Sequence, residues 1–318
     1  MNITRKLTSG VVIILLALTF FAVIMPLQDE AHATVAKAAV KKAKTYSKSA
    51  NKLFKVKGYW YCFSKKKVKK SLQKVGSNYY FFNKSTGKMY LKTGLKKVST
   101  AYYYFKKSSG KAPAYRNKSW KDADGKVWFF KSNGKRYNYS YKDTDSTAGN
   151  TAAGYIISEA KIKPENSATA AQLQTAYKKI VNRSKYIALD VKPITSSSVI
   201  GSYALTAAKK KGGKCYNVAA LTFVTFKALG DNPSLVTGKC TRTGDTAKNQ
   251  DHAWVESDKL VYDAVFDITI TKKAMAFMGK AKDELHGKEY KNKEFKLSGV
   301  DAAYKDYLYT PDKQNTFK

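Results

Sequence analysis

The chain has 318 residues, 59 lysines and arginines against 23 acids, a formal charge of +36 and 43% hydrophobic content. Its 13% aromatic share is enough to build cores, which excludes wholesale disorder despite the charge. Nineteen glycines and six prolines exclude a collagen-like or proline-rich fibre, and three cysteines without a C-x-x-C pair exclude a disulfide scaffold and a zinc or iron–sulfur site.

The first element is a targeting segment. Arg5 and Lys6 form a positive start, Val11–Leu27 is an apolar run, and Ala31-His32-Ala33 supplies a small-x-small cleavage pattern. A signal peptide over 1–33 is expected. The other reading is an uncleaved anchor, since a run of about 17 residues sits at the lower edge of a membrane span. The mature chain is then expected outside the membrane from about Thr34, secreted and associated with the cell wall or surface. It keeps Cys62, Cys215 and Cys240 and only two histidines, His252 and His286. Any histidine-dependent chemistry must use one of those two.

Charge is spread unevenly. From Thr34 to Asn150 there are 30 basic and four acidic residues, and no acid occurs between Thr34 and Lys121. From Thr151 to Lys318 there are 27 basic and 17 acidic residues. After a basic segment over 34–57, the excess predicts attraction to polyanions. For a secreted chain those are wall polymers before nucleic acid, so no nucleic-acid partner is expected.

The basic half also contains a repeat. Tyr79-Tyr80-Phe81-Phe82 with Gly87-Lys88, Tyr103-Tyr104-Phe105 with Gly110-Lys111, and Val127-Trp128-Phe129-Phe130 with Gly134-Lys135 align, and Phe82, Phe105 and Phe130 are 23 and 25 residues apart. Tyr59-Trp60-Tyr61-Cys62-Phe63 reads as a degenerate first copy. Each copy is read as an aromatic strand, a polar turn ending in Gly and a second short strand, stacked with its neighbours into an all-β hairpin solenoid. The pattern over 58–141 resembles the choline- and glucan-binding repeats of Gram-positive surface proteins. That resemblance implies aromatic pockets for a quaternary amine or a sugar ring. The lysine excess repels a cation, so a wall glycan or an anionic wall polymer is the expected partner. Most of these aromatics are expected to pack rather than to bind. Residues 142–153, rich in Asp, Ser, Thr and Gly, read as a linker.

The second domain, 154–318, carries the candidate chemistry. Ala168–Asn182 has helical spacing, with Ala171, Leu173, Tyr177, Ile180 and Val181 largely on one side. Lys211-Gly212-Gly213-Lys214-Cys215 leads into an apolar helix, Tyr216 to Leu229, with Gly230 as its stop. Cys215 thus stands at the first turn of a buried helix, where backbone N–H groups favour a thiolate. Downstream, Asp251–Glu256 and Lys259–Asp263 read as two strands around a tight turn. A Ser257-Asp258 turn places His252 opposite Asp263. An Asp258-Lys259 turn slips the register and makes Asp263 and Asp267 equal diagonal neighbours of His252.

Cysteine at a helix start, histidine on a strand and a carboxylate beyond it form the set needed for thiolate catalysis. The histidine takes the thiol proton and the carboxylate fixes its tautomer. Gly213-Lys214-Cys215, Ala219, Ala220, Leu229-Gly230, Val236-Thr237-Gly238, His252-Ala253-Trp254-Val255-Glu256 and Val261-Tyr262-Asp263 resemble the transglutaminase-like branch of the papain-like fold. The resemblance implies an α+β domain with a Cys215–His252–Asp263 triad. It also implies thioester chemistry on a peptide or protein amide, completed by transfer to an amine or to water. No cofactor or metal is implied. Tyr216 stands where many members carry a different aromatic arrangement, so the acyl-pocket wall is left open. His286, in Glu284-Leu285-His286-Gly287, reads as a surface residue, and Cys62 and Cys240 as structural or incidental. The rival reading is non-enzymatic: a wall-bound adhesin or scaffold that binds peptides or glycans.

Overall fold

The computed structural model describes residues 33–242, 250–269, 272–273, 275, 278–281 and 307–318. The expected signal peptide lies outside them apart from Ala33, and so does His286. Among the described residues no helix is long and apolar enough to cross a membrane. The chain divides into two compact units between Tyr115 and Arg116.

In the first unit a helix, α1 (33–43), seats Ala39 and Ala43 against Val56, Tyr61 and Phe63. Three strands follow, β1 (Lys52–Val56), β2 (Tyr59–Ser64) and β3 (Lys67–Lys69), paired antiparallel in that order. Two hairpins come next, β4 (Ser71–Val75) with β5 (Asn78–Phe82), and β6 (Gly94–Val98) with β7 (Ala101–Phe105). Each aromatic strand therefore pairs with the strand before it, not with the segment after the Gly-Lys turn as the sequence reading had it. Its partners share a Leu-x-Lys-Val pattern: Leu53 to Val56, Leu72 to Val75 and Leu95 to Val98. After the turn only single bridges form, Phe82 with Met89 and Phe105 with Ala114. The reason is that these segments turn back to the preceding hairpin: Met89 N–H donates to Trp60 C=O (2.8 Å) and Ala114 N–H to Tyr79 C=O (2.8 Å). Aromatic packing links the hairpins, with Cys62, Tyr80, Phe82 and Met89 in one cluster and Phe81, Tyr103 and Phe105 in the next.

The second unit begins with a last aromatic hairpin, β8 (Lys118–Lys121) and β9 (Val127–Phe130). It belongs to this unit because Val127, Phe129, Tyr137 and Tyr141 share one core with the helices. The stretch expected as a linker is also structured. Ser146 caps a helix, α2 (Thr147–Ala160), by accepting from Gly149 N–H at 2.9 Å, while Thr144 N–H and hydroxyl both bond Asn150 Oδ1. Small polar residues here are caps and close-packing surfaces rather than solvated tether. A Cβ on Gly154 would lie 2.5 Å from the Phe129 ring, which fixes how near hairpin and helix approach.

Helix α3 (Ala170–Arg183) starts on a capping box built by Thr169 and Gln172. It buries Leu173, Ala176, Tyr177, Ile180 and Val181, and Ala171 turns to solvent, unlike in the sequence reading. Helix α4 (Ile200–Lys210) leads to α5 (Cys215–Leu229), where every residue but Cys215 and Lys227 is buried. Against these helices stands a five-stranded antiparallel sheet. Its order is Met278–Ala281, Leu260–Tyr262, Gln250–Ser257, Ser234–Arg242, Tyr307–Phe317.

Candidate active site

The approach to Cys215 is set by two glycines. Gly212 and Gly213 pair in parallel with Lys185 and Tyr186. Gly212 takes φ +144°, and a Cβ there would fall 1.9 Å from the Lys185 carbonyl oxygen. Any side chain would therefore push the strand off its partner and swing the start of α5. Gly212→Ala should cost at least about 2 kcal/mol of stability. Gly125→Ala, also at positive φ (+78°) but with nothing within 4 Å, should cost only the roughly 1 kcal/mol of backbone strain. Thermal denaturation of the two variants checks the difference.

Cys215 opens α5 after Lys214, whose extended backbone (φ −74°, ψ 176°) ends the strand. Its side chain is half-buried, and its Sγ lies 3.9 Å from the Asp251 carbonyl oxygen. That contact puts the thiol beside the strand Gln250–Ser257, next to His252. The thiol acts on the imidazole from there, raising the pKa of His252. Along the strand, Ala253 and Val255 enter the helical core, while alternation sends His252, Trp254 and Glu256 the other way. Trp254 is fully buried and donates its indole N–H to Glu256 Oε1 at 3.0 Å.

Asp263 holds the imidazole. His252 Nε2 and Asp263 Oδ2 are 2.6 Å apart, with both side chains nearly inaccessible. Burial works against a charged ring, but the Asp263 carboxylate, its hydrogen bond and the Cys215 contact outweigh it and raise the His252 pKa from 6.5 to about 10. With Nε2 taken by Asp263, Nδ1 is the ring nitrogen left for the thiol.

The register is the slipped one. Glu256 pairs with Val261 and Ser257 with Leu260, so Asp258-Lys259 makes the turn. Asp263 and Asp267 are nonetheless not equal neighbours of His252, because the strand ends at Tyr262 and a short helix, α6 (Ala264–Thr269), begins. Asp263 sits at the start of that helix. Its Oδ1 accepts the Phe266 N–H at 3.1 Å while Oδ2 faces His252. Asp267 turns to Tyr177 on α3, whose hydroxyl donates to its Oδ2 at 2.5 Å. Burial and the neighbouring carboxylates hold the Tyr177 hydroxyl protonated well beyond its usual range.

Phe266 escaped the sequence reading. Its ring stacks on His252 at 4.3 Å and 18°, while its own backbone N–H donates to Asp263. The signal that could have found it is Asp263 three residues before Phe266 at the end of a strand, an N-cap spacing. Tyr216 is buried in the helical core. Cys62 is a free cysteine, fully buried, and burial pushes its thiol up to about 11. Among the described residues no group of three or more His, Cys, Asp or Glu side chains is arranged to hold a metal ion.

No family model and no curated protein matches the chain. Solved structures match it in part. Choline binding protein F from Streptococcus pneumoniae, crystallised in the presence of a peptidoglycan analogue, is 24% identical over 29% of this chain and 31% of its own, with a TM-score of 0.22. CbpJ from Streptococcus pneumoniae is 20% identical over 31% of this chain and 34% of its own, with a TM-score of 0.22. A truncated alternansucrase from Leuconostoc mesenteroides is 18% identical over 30% of this chain and 8% of its own, with a TM-score of 0.24. The chain thus spans about a third of the choline-binding proteins and under a tenth of the alternansucrase.

Proposed function

We propose that the protein is a secreted, wall-attached cysteine enzyme whose second unit, papain-like with a transglutaminase-like site, acts on amide bonds through a thioester. The observation that carries this reading is Cys215 at the start of a buried helix, its thiol against the backbone of Asp251, with the ring of the next residue, His252, held by Asp263 at 2.6 Å. In the proposed reaction Cys215 Sγ attacks the amide carbon and its proton resides on His252. The ring passes that proton to the departing amine, leaving an acyl–sulfur bond. An incoming amine or water then gives its proton back to His252 as it breaks the thioester. Asp263 keeps one tautomer and one ring orientation throughout and offsets the imidazolium charge.

A thiol-directed amide-mimic probe tests the reading on the full chain. Labelling should fall on Cys215 and spare Cys62, which is buried and holds its proton tightly. His252→Ala should abolish it. Labelling that ignores His252, or that spreads over the cysteines alike, would leave the second reading, a wall-bound adhesin without catalysis. What favours that second reading is the lysine- and aromatic-rich stretch over 34–115, which holds no acid and needs no chemistry to bind.

A further inference from the structure

The lysines of the Gly-Lys turns find a place in the structure that the repeat pattern did not suggest. Lys88 of Gly87-Lys88 sets its ammonium 3.7 Å from the Tyr59 ring centroid, and Lys111 of Gly110-Lys111 sits 4.6 Å from Trp60. Lys96 lies 4.6 Å from both Phe81 and Tyr90, whose rings meet edge to face. All three lysines are half-buried, whereas most lysines around them are exposed. Ring faces that would otherwise be open to a cationic ligand already carry the chain's own ammonium groups.

The composition explains why the rings are recruited. Residues 34–115 contain 22 lysines and no arginine, histidine, aspartate or glutamate. No ammonium there can find a carboxylate within the segment, so aromatic quadrupoles are the strongest local partners. A ring stabilises a cation without neutralising it, and the charge remains to be met from outside. The lack of arginine also matters. Planar, paired recognition of a carboxylate or a phosphate falls to arginine, whereas lysine binds phosphate as a compact point charge, which suits single charges repeated along a polymer.

We propose that Lys88, Lys96 and Lys111, fixed on aromatic rings, form a binding surface for a linear phosphate polymer, and that these rings take no exogenous quaternary amine. The proposal rests on the reading of the first unit as an attachment module and specifies its ligand. It is independent of catalysis, so Cys215→Ser protein should bind as well as wild type. Ring-held ammoniums lose less freedom on binding than mobile ones, which makes them worth more per charge.

The test uses the full chain and long-chain inorganic polyphosphate, with the affinity followed against salt. Replacing Lys88, Lys96 and Lys111 together by Gln should weaken binding by about tenfold or more, against about threefold or less for the exposed set Lys70, Lys84 and Lys92. Replacing the ring-held three by Arg should restore it, since charge and ring contact both survive. Choline chloride should compete no better than sodium chloride at equal ionic strength, and poly(dT) should bind no tighter than polyphosphate at equal charge. Equal losses from the two Gln sets would overturn the role of the ring-held lysines. Displacement by choline, or a preference for poly(dT) from base stacking, would show that the rings are open and overturn the proposal.

Discussion

Cys215→Ser should lower the rate of amine release from a peptide amide by about 10³-fold or more while leaving the melting temperature unchanged. The hydroxyl is nearly the size of the thiol and Cys215 is half-buried, so the fold has little to lose. The chemistry has much to lose, because a serine hydroxyl surrenders its proton far less readily. His252→Ala should cost a similar factor, and the double variant should be little worse than either single one. Residues that act as one unit fail as one unit. Retention of more than about a tenth of the rate by Cys215→Ser would remove the nucleophile from the scheme.

Asp263→Asn should cost about 10²- to 10⁴-fold in rate, and Asp267→Asn far less. The contrast follows from position. Asp263 faces His252 at 2.6 Å, whereas Asp267 accepts the Tyr177 hydroxyl at 2.5 Å. A pH profile separates loss of orientation from loss of fold. The folded His252 binds its proton more tightly than an unfolded histidine, its pKa rising from 6.5 to about 10. Its contribution to stability is therefore complete below pH 6.5 and is lost as pH rises through about 10. The wild-type melting temperature should fall across that window, and Asp263→Asn should flatten the fall. Identical slopes in the two proteins would mean that the carboxylate does not hold the imidazolium.

Much of the candidate site was legible because it is local. Cys215 at a helix start, the apolar run behind it and Gly230 at its end are all set by near neighbours in sequence, and the helix runs from Cys215 to Leu229 with Gly230 at φ 95°. What escaped depends on where elements end. Two hairpin registers were open around Asp258, the structure takes the slipped one, and the choice between Asp263 and Asp267 was made by the chain leaving the sheet at Tyr262 to start a helix. Phe266 was invisible for the same reason. It reaches His252 only because Asp263 caps that helix. In the repeats, the aromatic strands were conspicuous and their lysine-rich partners were not. Leu72-Gln73-Lys74-Val75 looks like solvated chain until Leu72 is seen packing against the next hairpin's aromatics. The polar run at 142–153 was misread because caps and tethers draw on the same residue types.

The last aromatic hairpin bears on how such a protein can vary over generations. Hairpins in the first unit are joined by repeated contacts, so copies there are exchangeable parts in principle. The copy at Lys118–Phe130 is not, since Phe129 meets Gly154 and the Tyr141 hydroxyl bonds the Asn150 carbonyl at 2.7 Å. It has been annexed by the helical core. Gain or loss of repeats is thereby confined to the segment before Arg116, and recombination at the polar stretch that resembles a natural seam would split one folding unit in two.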